Sequence, residues 1–298
     1  MRGKLSPYVL LTASALFWGG NFVVGRALSF DVPPIAMTFW RFFGALLVLL
    51  PFTFGPVWRY RRQALANWRL LLVLGVTGIT AFHSFTYIAL TSTEAINAAL
   101  FLALTPLVIP VFGYILNGDA PTGRQVAGVC LSLIGVLILI GRGEISVLRA
   151  LRFNPGDLWM VAAVPMWALY VVLLKRRPTD LPPVVLLVGV ICVAVGLLVP
   201  AYIWEYSRVG GFSLNMESLS GLAFLAIFAS ALAYMFWNRG VGEVGAARAG
   251  PFLHLVPVFA TFLAIAFLGE SLHFYHLAGA AMIAFGVLAA AGRRLEGA

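Results

Sequence analysis

The sequence predicts an all-α integral membrane protein: ten transmembrane helices arranged as two inverted five-helix repeats. Three observations predict it. Hydrophobic residues make up 61% of the chain and charged residues 10%, with a mean hydropathy of +0.97, whereas a soluble domain carries roughly 25% charged residues. The apolar residues gather into ten runs, on the scale of the about 20 residues that cross a hydrocarbon core. Landmarks of the first five runs return in the last five at a nearly constant interval.

The runs lie at approximately 8–28, 35–55, 68–90, 95–116, 123–141, 157–175, 183–204, 218–239, 245–268 and 273–292. The first follows Arg2 and Lys4 and contains Ala13-Ser14-Ala15, which has the outline of a secretory leader. Its apolar pattern continues through Phe17 and Trp18, as in a first spanning helix. The second opens at Pro33-Pro34, the fourth closes at Asn117-Gly118-Asp119-Ala120-Pro121, and the seventh opens at Pro182-Pro183, all turn-forming sequences. The longest connection, from Gly141 to Pro155, carries Ile145, Leu148, Leu151 and Phe153 beside Arg149 and Arg152. It reads either as a short helix on the membrane surface or as an ordered loop. The connections leave no room for a soluble domain.

The formal charge of +9 is spread among the loops and forms no interleaved basic and aromatic patch, so no nucleic-acid partner is expected. The distribution is topological instead. With the N-terminus in the cytoplasm, Arg59, Arg61, Arg62, Arg69, Arg124, Lys175, Arg176, Arg177, Arg239 and Arg248 fall on the inner side. The outer side keeps Arg26, Arg142, Arg149, Arg152 and Arg208. This bias predicts a multi-pass protein of the inner membrane with both termini cytoplasmic. Cys130 and Cys192 each sit inside an apolar run and offer neither a disulfide framework nor a metal site.

The repeat is the strongest signal. Trp18 recurs as Trp167, and Pro33-Pro34 and Pro51 as Pro182-Pro183 and Pro200, at an offset of 149. At 151, Phe101 answers to Phe252, Pro106 to Pro257, and Gly118-Asp119 to Gly269-Glu270; Gly128 and Gly135 answer to Gly279 and Gly286. The division falls at 1–142 and 143–298. Each half crosses five times, an odd number, so the second half enters from the other side. Inverted halves are the architecture of alternating access around a site near the midplane. Pro106, Pro110 and Pro257 are the hinge candidates, since proline frees a carbonyl that only protein or a wet cavity can satisfy at membrane depth.

Several stretches carry a family resemblance. Trp18-Gly19-Gly20-Asn21-Phe22-Val23, Arg41-Phe42 and Tyr87-Ile88-Ala89-Leu90 leading into Ala95 to Pro106 resemble the first EamA repeat of the drug/metabolite transporter superfamily. Ala233-Tyr234-Met235-Phe236-Trp237-Asn238, Pro257-Val258 and Leu268-Gly269-Glu270 with Gly279 and Gly286 resemble the second. The resemblance implies ten helices in two inverted halves, cytoplasmic termini and export of small metabolites. Trp237-Asn238 is similar to the amino-acid-exporting branch, while multidrug and nucleotide-sugar carriers share the architecture. The chain departs from the small multidrug relatives, which embed a glutamate in the first helix. All 11 of its carboxylates fall near segment ends or in loops. That speaks against carboxylate-borne proton coupling and a strongly cationic drug, and leaves facilitated diffusion and proton antiport both open.

Polar residues at membrane depth are costly and mark function. His83 and Tyr87 share a face at i and i+4, and their repeat counterparts Tyr234 and Asn238 share another. Both faces read as substrate lining, with Asn21, Asn97 and His254 as further polar candidates; each histidine reads equally as a satisfied packing residue. Trp18, Phe101, Trp167, Tyr170 and Trp237 are the aromatic candidates, for apolar area or cation–π contact. Arg41, two turns into the second run, and Arg248 near the inner mouth are gate candidates. Arg41 has no basic counterpart, Val190 taking its place; it is expected either to meet a substrate carboxylate or, more in keeping with its position, to snorkel to the outer interface. The glycines of runs five and ten read as packing seams.

An intramembrane enzyme would need clustered acid, base or metal ligands, and the sequence has no HExxH, GxSxG or buried His/Asp/Glu cluster. A channel stays open as a third reading. The reading therefore names no catalytic residue, metal or cofactor. Its partners are a small-molecule substrate and the lipid bilayer, with the chain acting as monomer or homodimer.

Overall fold

The computed structural model describes residues 6–29, 31–93, 95–268 and 271–292. The readings made at Arg2, Lys4, Gly269 and Glu270 lie outside them. Among the described residues, ten helices are long and apolar enough to span a membrane: Pro7–Gly25, Pro34–Ala66, Trp68–Leu90, Asn97–Asn117, Gly123–Ile140, Pro155–Arg176, Pro183–Val209, Met216–Val244, Ala246–Leu263 and Phe274–Ala291. They are called spans 1 to 10 below. Tyr8 near the start of span 1 donates to the carbonyl of Ala291 at the end of span 10, 2.9 Å away. The two described ends of the chain therefore share one face, here called the terminal face.

Local chemistry sets the boundaries. Thr122 and Gln125 close a reciprocal capping box at the start of span 5, and Asn154 with Asp157 does the same for span 6. Span 4 ends at Gly118, which takes φ +71°; its N–H bonds the Tyr114 carbonyl, and Asp119 N–H bonds the Gly113 carbonyl. That is a left-handed helix stop that a side chain would strain. Span 2 runs further than the sequence suggests, through Pro51 and Pro56 to Ala66, because Arg59, Arg61, Arg62 and Gln63 are good helix formers. Its other end is capped from a distance. The buried Glu205 of span 7 accepts from the backbone N–H groups of Ile35 and Ala36 at 2.9 and 2.7 Å, placing a carboxylate on a helix N-terminus. The 141–155 connection holds one short helix, Ile145–Arg149, with Ile145 and Phe153 exposed.

In lipid, helices associate through close packing rather than through hydrophobic burial. Spans 5 and 10 show this. A methyl group at Gly128 would lie 2.6 Å from the carbonyl of Gly286, and one at Gly135 would lie 2.7 Å from that of Gly279. The pairing is crossed and antiparallel, so the glycine stripes form a packing seam.

Two pairs of spans depart from regular α-helix at matching places. Span 3 is π-helical over Val76–Ala81 and span 8 over Leu225–Leu232, stretches that overlap under the 151-residue offset. Span 4 breaks at Leu104, between Ala95–Ala103 and Thr105–Asn117, just before Pro106. Span 9 passes through a 3-10 stretch, Gly250–His254, before resuming as Leu255–Leu268 with Pro257 in its first turn.

Candidate functional site

A cavity of about 690 Å³ opens at the terminal face, walled by spans 4, 6, 8 and 9 and the start of span 7. Ile109, Pro110 and Gly113 line it beyond the break in span 4; Val171 and Val172 face them from span 6, and Asn238 and Val241 from span 8. Lys175, Arg177, Asp119 and Arg248 lie on its wall as well. Lys175 and Asp119 form an ion pair at 2.6 Å.

Asn238 is the polar residue of the apolar inner end. The Tyr170 hydroxyl donates to its Oδ1 at 2.7 Å, which leaves the amide N–H groups of Asn238 as donors. Gly78 makes this possible, since a side chain there would collide with the Tyr170 ring.

Behind Asn238 the molecule is closed by rings. Trp18 meets Trp167 edge-on at 5.3 Å, Tyr234 at 5.9 Å and Trp237 at 5.2 Å, and Trp167 meets Tyr170 at 5.2 Å. All five residues are buried. Aromatic pairs of this kind contribute about 0.5–1.5 kcal/mol each beyond their buried area. The Trp237 indole N–H is buried without a hydrogen-bond partner among the described residues.

Beyond the rings, toward the opposite face, lies Arg41, fully buried. Its Nε donates to Ser230 Oγ at 2.9 Å, its Nη1 to Asn21 Oδ1 at 2.9 Å and to the Tyr87 hydroxyl at 2.8 Å, and its Nη2 to the Ala229 carbonyl at 3.2 Å. No carboxylate pairs with it among the described residues. The π-helical stretch of span 8 presents that Ala229 carbonyl, which also takes the Trp18 indole N–H at 3.0 Å. π-helical segments recur at functional sites, and here one serves as an acceptor between three spans.

A second chain of bonds joins the cation to the rings. Tyr234 gives its one hydroxyl proton to the Gly78 carbonyl at 2.7 Å, so it accepts from His83 Nε2 at 2.8 Å. The His83 Nδ1 is then an acceptor, 3.5 Å from Arg41 Nη1. Spans 1, 2, 3 and 8 are thus tied by one network centred on a guanidinium.

The structure sorts the sequence-derived candidates into three groups. Asn238, Pro110 and Arg248 line the cavity. Trp18, Trp167, Tyr170, Tyr234 and Trp237 form the ring layer behind it, with His83, Tyr87, Asn21 and Arg41 beyond. The expectation that Arg41 snorkels is corrected: its side chain turns inward, where five neutral acceptors and the Phe42 ring, 4.9 Å away, surround it. The third group lies elsewhere. Asn97 donates to Asp157 Oδ2 at 3.1 Å and to the Arg152 carbonyl at 2.9 Å, tying the 141–155 connection to span 4. Phe252 stacks on Tyr8 at 5.9 Å, and Phe101 packs against Ala89, Ala98 and Met160. His254 bonds Ser132 Oγ at 2.5 Å and the Ala103 carbonyl at 2.8 Å. That carbonyl lies at the break preceding Pro106, so His254 is a packing histidine that satisfies broken backbone.

Sequence reasoning missed Ser230, whose hydroxyl looks like any small span residue, and Glu205, whose cap pairs it with residues 169 and 170 positions away. It also read Arg177 and Lys175 only as topological charge.

Comparison with known proteins agrees with this architecture. The EamA-like transporter family matches residues 5–141 and again 154–291. The uncharacterized transporter YyaM of Bacillus subtilis is 30% identical over 97% of this chain and 94% of its own length. Proteins named probable amino-acid metabolite efflux pumps, from Salmonella typhimurium and Escherichia coli, are each 27% identical, over 91% and 94% of this chain and 89% and 92% of their own. A crystal structure 23% identical in sequence superposes with a TM-score of 0.81, covering 99% of this chain and 100% of that one. The ten spans, the cavity and the full-length match lead to one conclusion: the chain belongs to the EamA-like transporter family and is a multi-pass membrane transporter.

Proposed function

We propose that the protein exports small metabolites, amino acids or their relatives, from the cytoplasm by alternating access between two inverted five-helix halves. The observation that carries this reading is a cavity open at one face and closed toward the other by the ring layer and the Arg41 network. With the terminal face in the cytoplasm, as the basic residues favour, this is an inward-open carrier. Two relatives named as amino-acid metabolite efflux pumps support the substrate range.

The contacts support the inverted repeat. Gly128 packs on Gly286 and Gly135 on Gly279, the crossed pairing of a surface that meets its own copy across a twofold axis. His83 bonds Tyr234, and His254 bonds the carbonyl of Ala103, each pair 151 residues apart.

Reconstitution into liposomes tests the reading, with uptake of radiolabelled amino acids and acylated derivatives measured with and without a pH gradient. Saturable, competed flux is expected. Flux that rises linearly with concentration points to a channel instead.

A further inference from the structure

We infer that the cargo enters the cavity as an organic anion: an apolar body with a carboxylate or phosphate head and no ammonium to balance it. The inference rests on the carrier reading above and narrows its substrate class. Three cations, Lys175, Arg177 and Arg248, and one anion, Asp119, stand on the cavity wall. Asp119 is already engaged, both of its oxygens 2.6 Å from Lys175 Nζ. Arg177 and Arg248 have no carboxylate within ion-pair distance among the described residues. Both are half-buried, and a cleft of one sign with low-dielectric walls concentrates its field on the entering molecule.

The inner end adds donors and no charge. Tyr170 donates to the Asn238 oxygen, and the Asn238 amide keeps its N–H groups toward the cavity wall it lines. Ile109, Val172, Leu186 and Val241 line the cavity between the two ends. Forked guanidiniums suit the paired oxygens of carboxylate or phosphate, while an ammonium finds no free carboxylate on this wall. Arg59, Arg61 and Arg62 show the contrasting case. They ride the extension of span 2 and line no part of this cavity. Position on the cavity wall separates Arg177 and Arg248 from that topological background.

The test uses the full chain in liposomes and four radiolabelled probes of similar apolar bulk: N-acetyl-leucine, isopentyl phosphate, leucine and leucinamide. At least one of the two anions is expected to move about tenfold faster than leucine and leucinamide, and the faster of the pair tells carboxylate from phosphate. The Arg177→Gln/Arg248→Gln double variant should lose about tenfold of that anion flux at an unchanged thermal midpoint. Asp119→Asn, which releases Lys175, should raise it. Leucine or leucinamide outrunning both anions overturns the inference, as does anion flux indifferent to the double variant. Movement of none of the four overturns the carrier reading itself.

Discussion

His83 Nε2 lies 2.8 Å from the hydroxyl of Tyr234, and the two residues stand 151 positions apart, the interval of the repeated landmarks. The contact supports the proposed inverted repeat, since a side chain would meet its own counterpart only on an axis that exchanges two copies. The bond also closes the route from the Arg41 cluster to the Gly78 carbonyl. Tyr234→Phe removes both the donor to Gly78 and the acceptor for His83, leaving two buried groups unmet, and should cost about 1–3 kcal/mol. A double-mutant cycle with His83→Phe, read by thermal unfolding in detergent, should return a coupling of about 0.5–3 kcal/mol. Strict additivity would remove the bond from the account.

Arg41→Met tests the network from its centre. The change relieves an unbalanced buried charge but leaves Asn21 Oδ1, Ser230 Oγ and the Ala229 carbonyl without the guanidinium N–H donors, so stability should fall by about 1–3 kcal/mol. Transport should also fall by about tenfold, ~1.4 kcal/mol on the barrier, because the opposite face no longer seals. Thr38, fully buried one turn nearer that face, reports the opening. In a background lacking Cys130 and Cys192, Thr38→Cys should react with a hydrophilic maleimide only when Arg41 is replaced.

The glycine seam predicts a steep steric effect. Gly128→Leu or Gly286→Leu drives a side chain into the facing backbone, where even a Cβ would lie 2.6 or 2.5 Å from a carbonyl oxygen. About 1–3 kcal/mol of overpacking should appear as a lower yield of monodisperse protein. Gly55→Ala, with open space around it, is the control and should behave as the parent does.

Glu205→Gln keeps the size of the cap on span 2 and removes its charge. Charge-assisted bonds to Ile35 and Ala36 become neutral ones, at a cost of about 1 kcal/mol. Glu205→Ala leaves the N–H groups of the first turn open and should cost more. Equal melting temperatures for the two variants would mean that the carboxylate is incidental.

Asn238→Ala addresses the cavity floor. Tyr170 then loses its acceptor, and the proposed cargo loses the Asn238 donors. Flux should fall with the apparent affinity, while assembly, governed by the seam and the ring layer, should persist in size-exclusion profiles.

Ten spans were legible from the apolar runs because a bilayer fixes their length, and the prolines at 106 and 257 announced the broken helices because a missing N–H cannot be hidden in lipid. The side-chain directions were not legible. Arg41 sits where a lysine-like escape to the interface would be natural, and only the neighbouring spans 1, 3 and 8 turn it inward. His83, Tyr87, Tyr234 and Asn238 were identified as two polar faces, yet sequence alone does not say that His83 and Tyr234 bond each other, leaving Asn238 alone of the four on the cavity wall. The two π-helical stretches share no proline or glycine pattern, Gly78 lying in the first alone; packing of Trp18, Arg41 and Tyr234 against their carbonyls accompanies them.

Arg41 faces Val190 in the internal comparison of the two halves, and this mismatch would break the balance of the proposed rocking pair. Two halves alike in every residue would spend equal time tilted either way. On the proposed alternating-access reading, one guanidinium clasp on a single side biases the empty carrier toward the tilt open at the terminal face, each ~1.4 kcal/mol of bias multiplying that population tenfold.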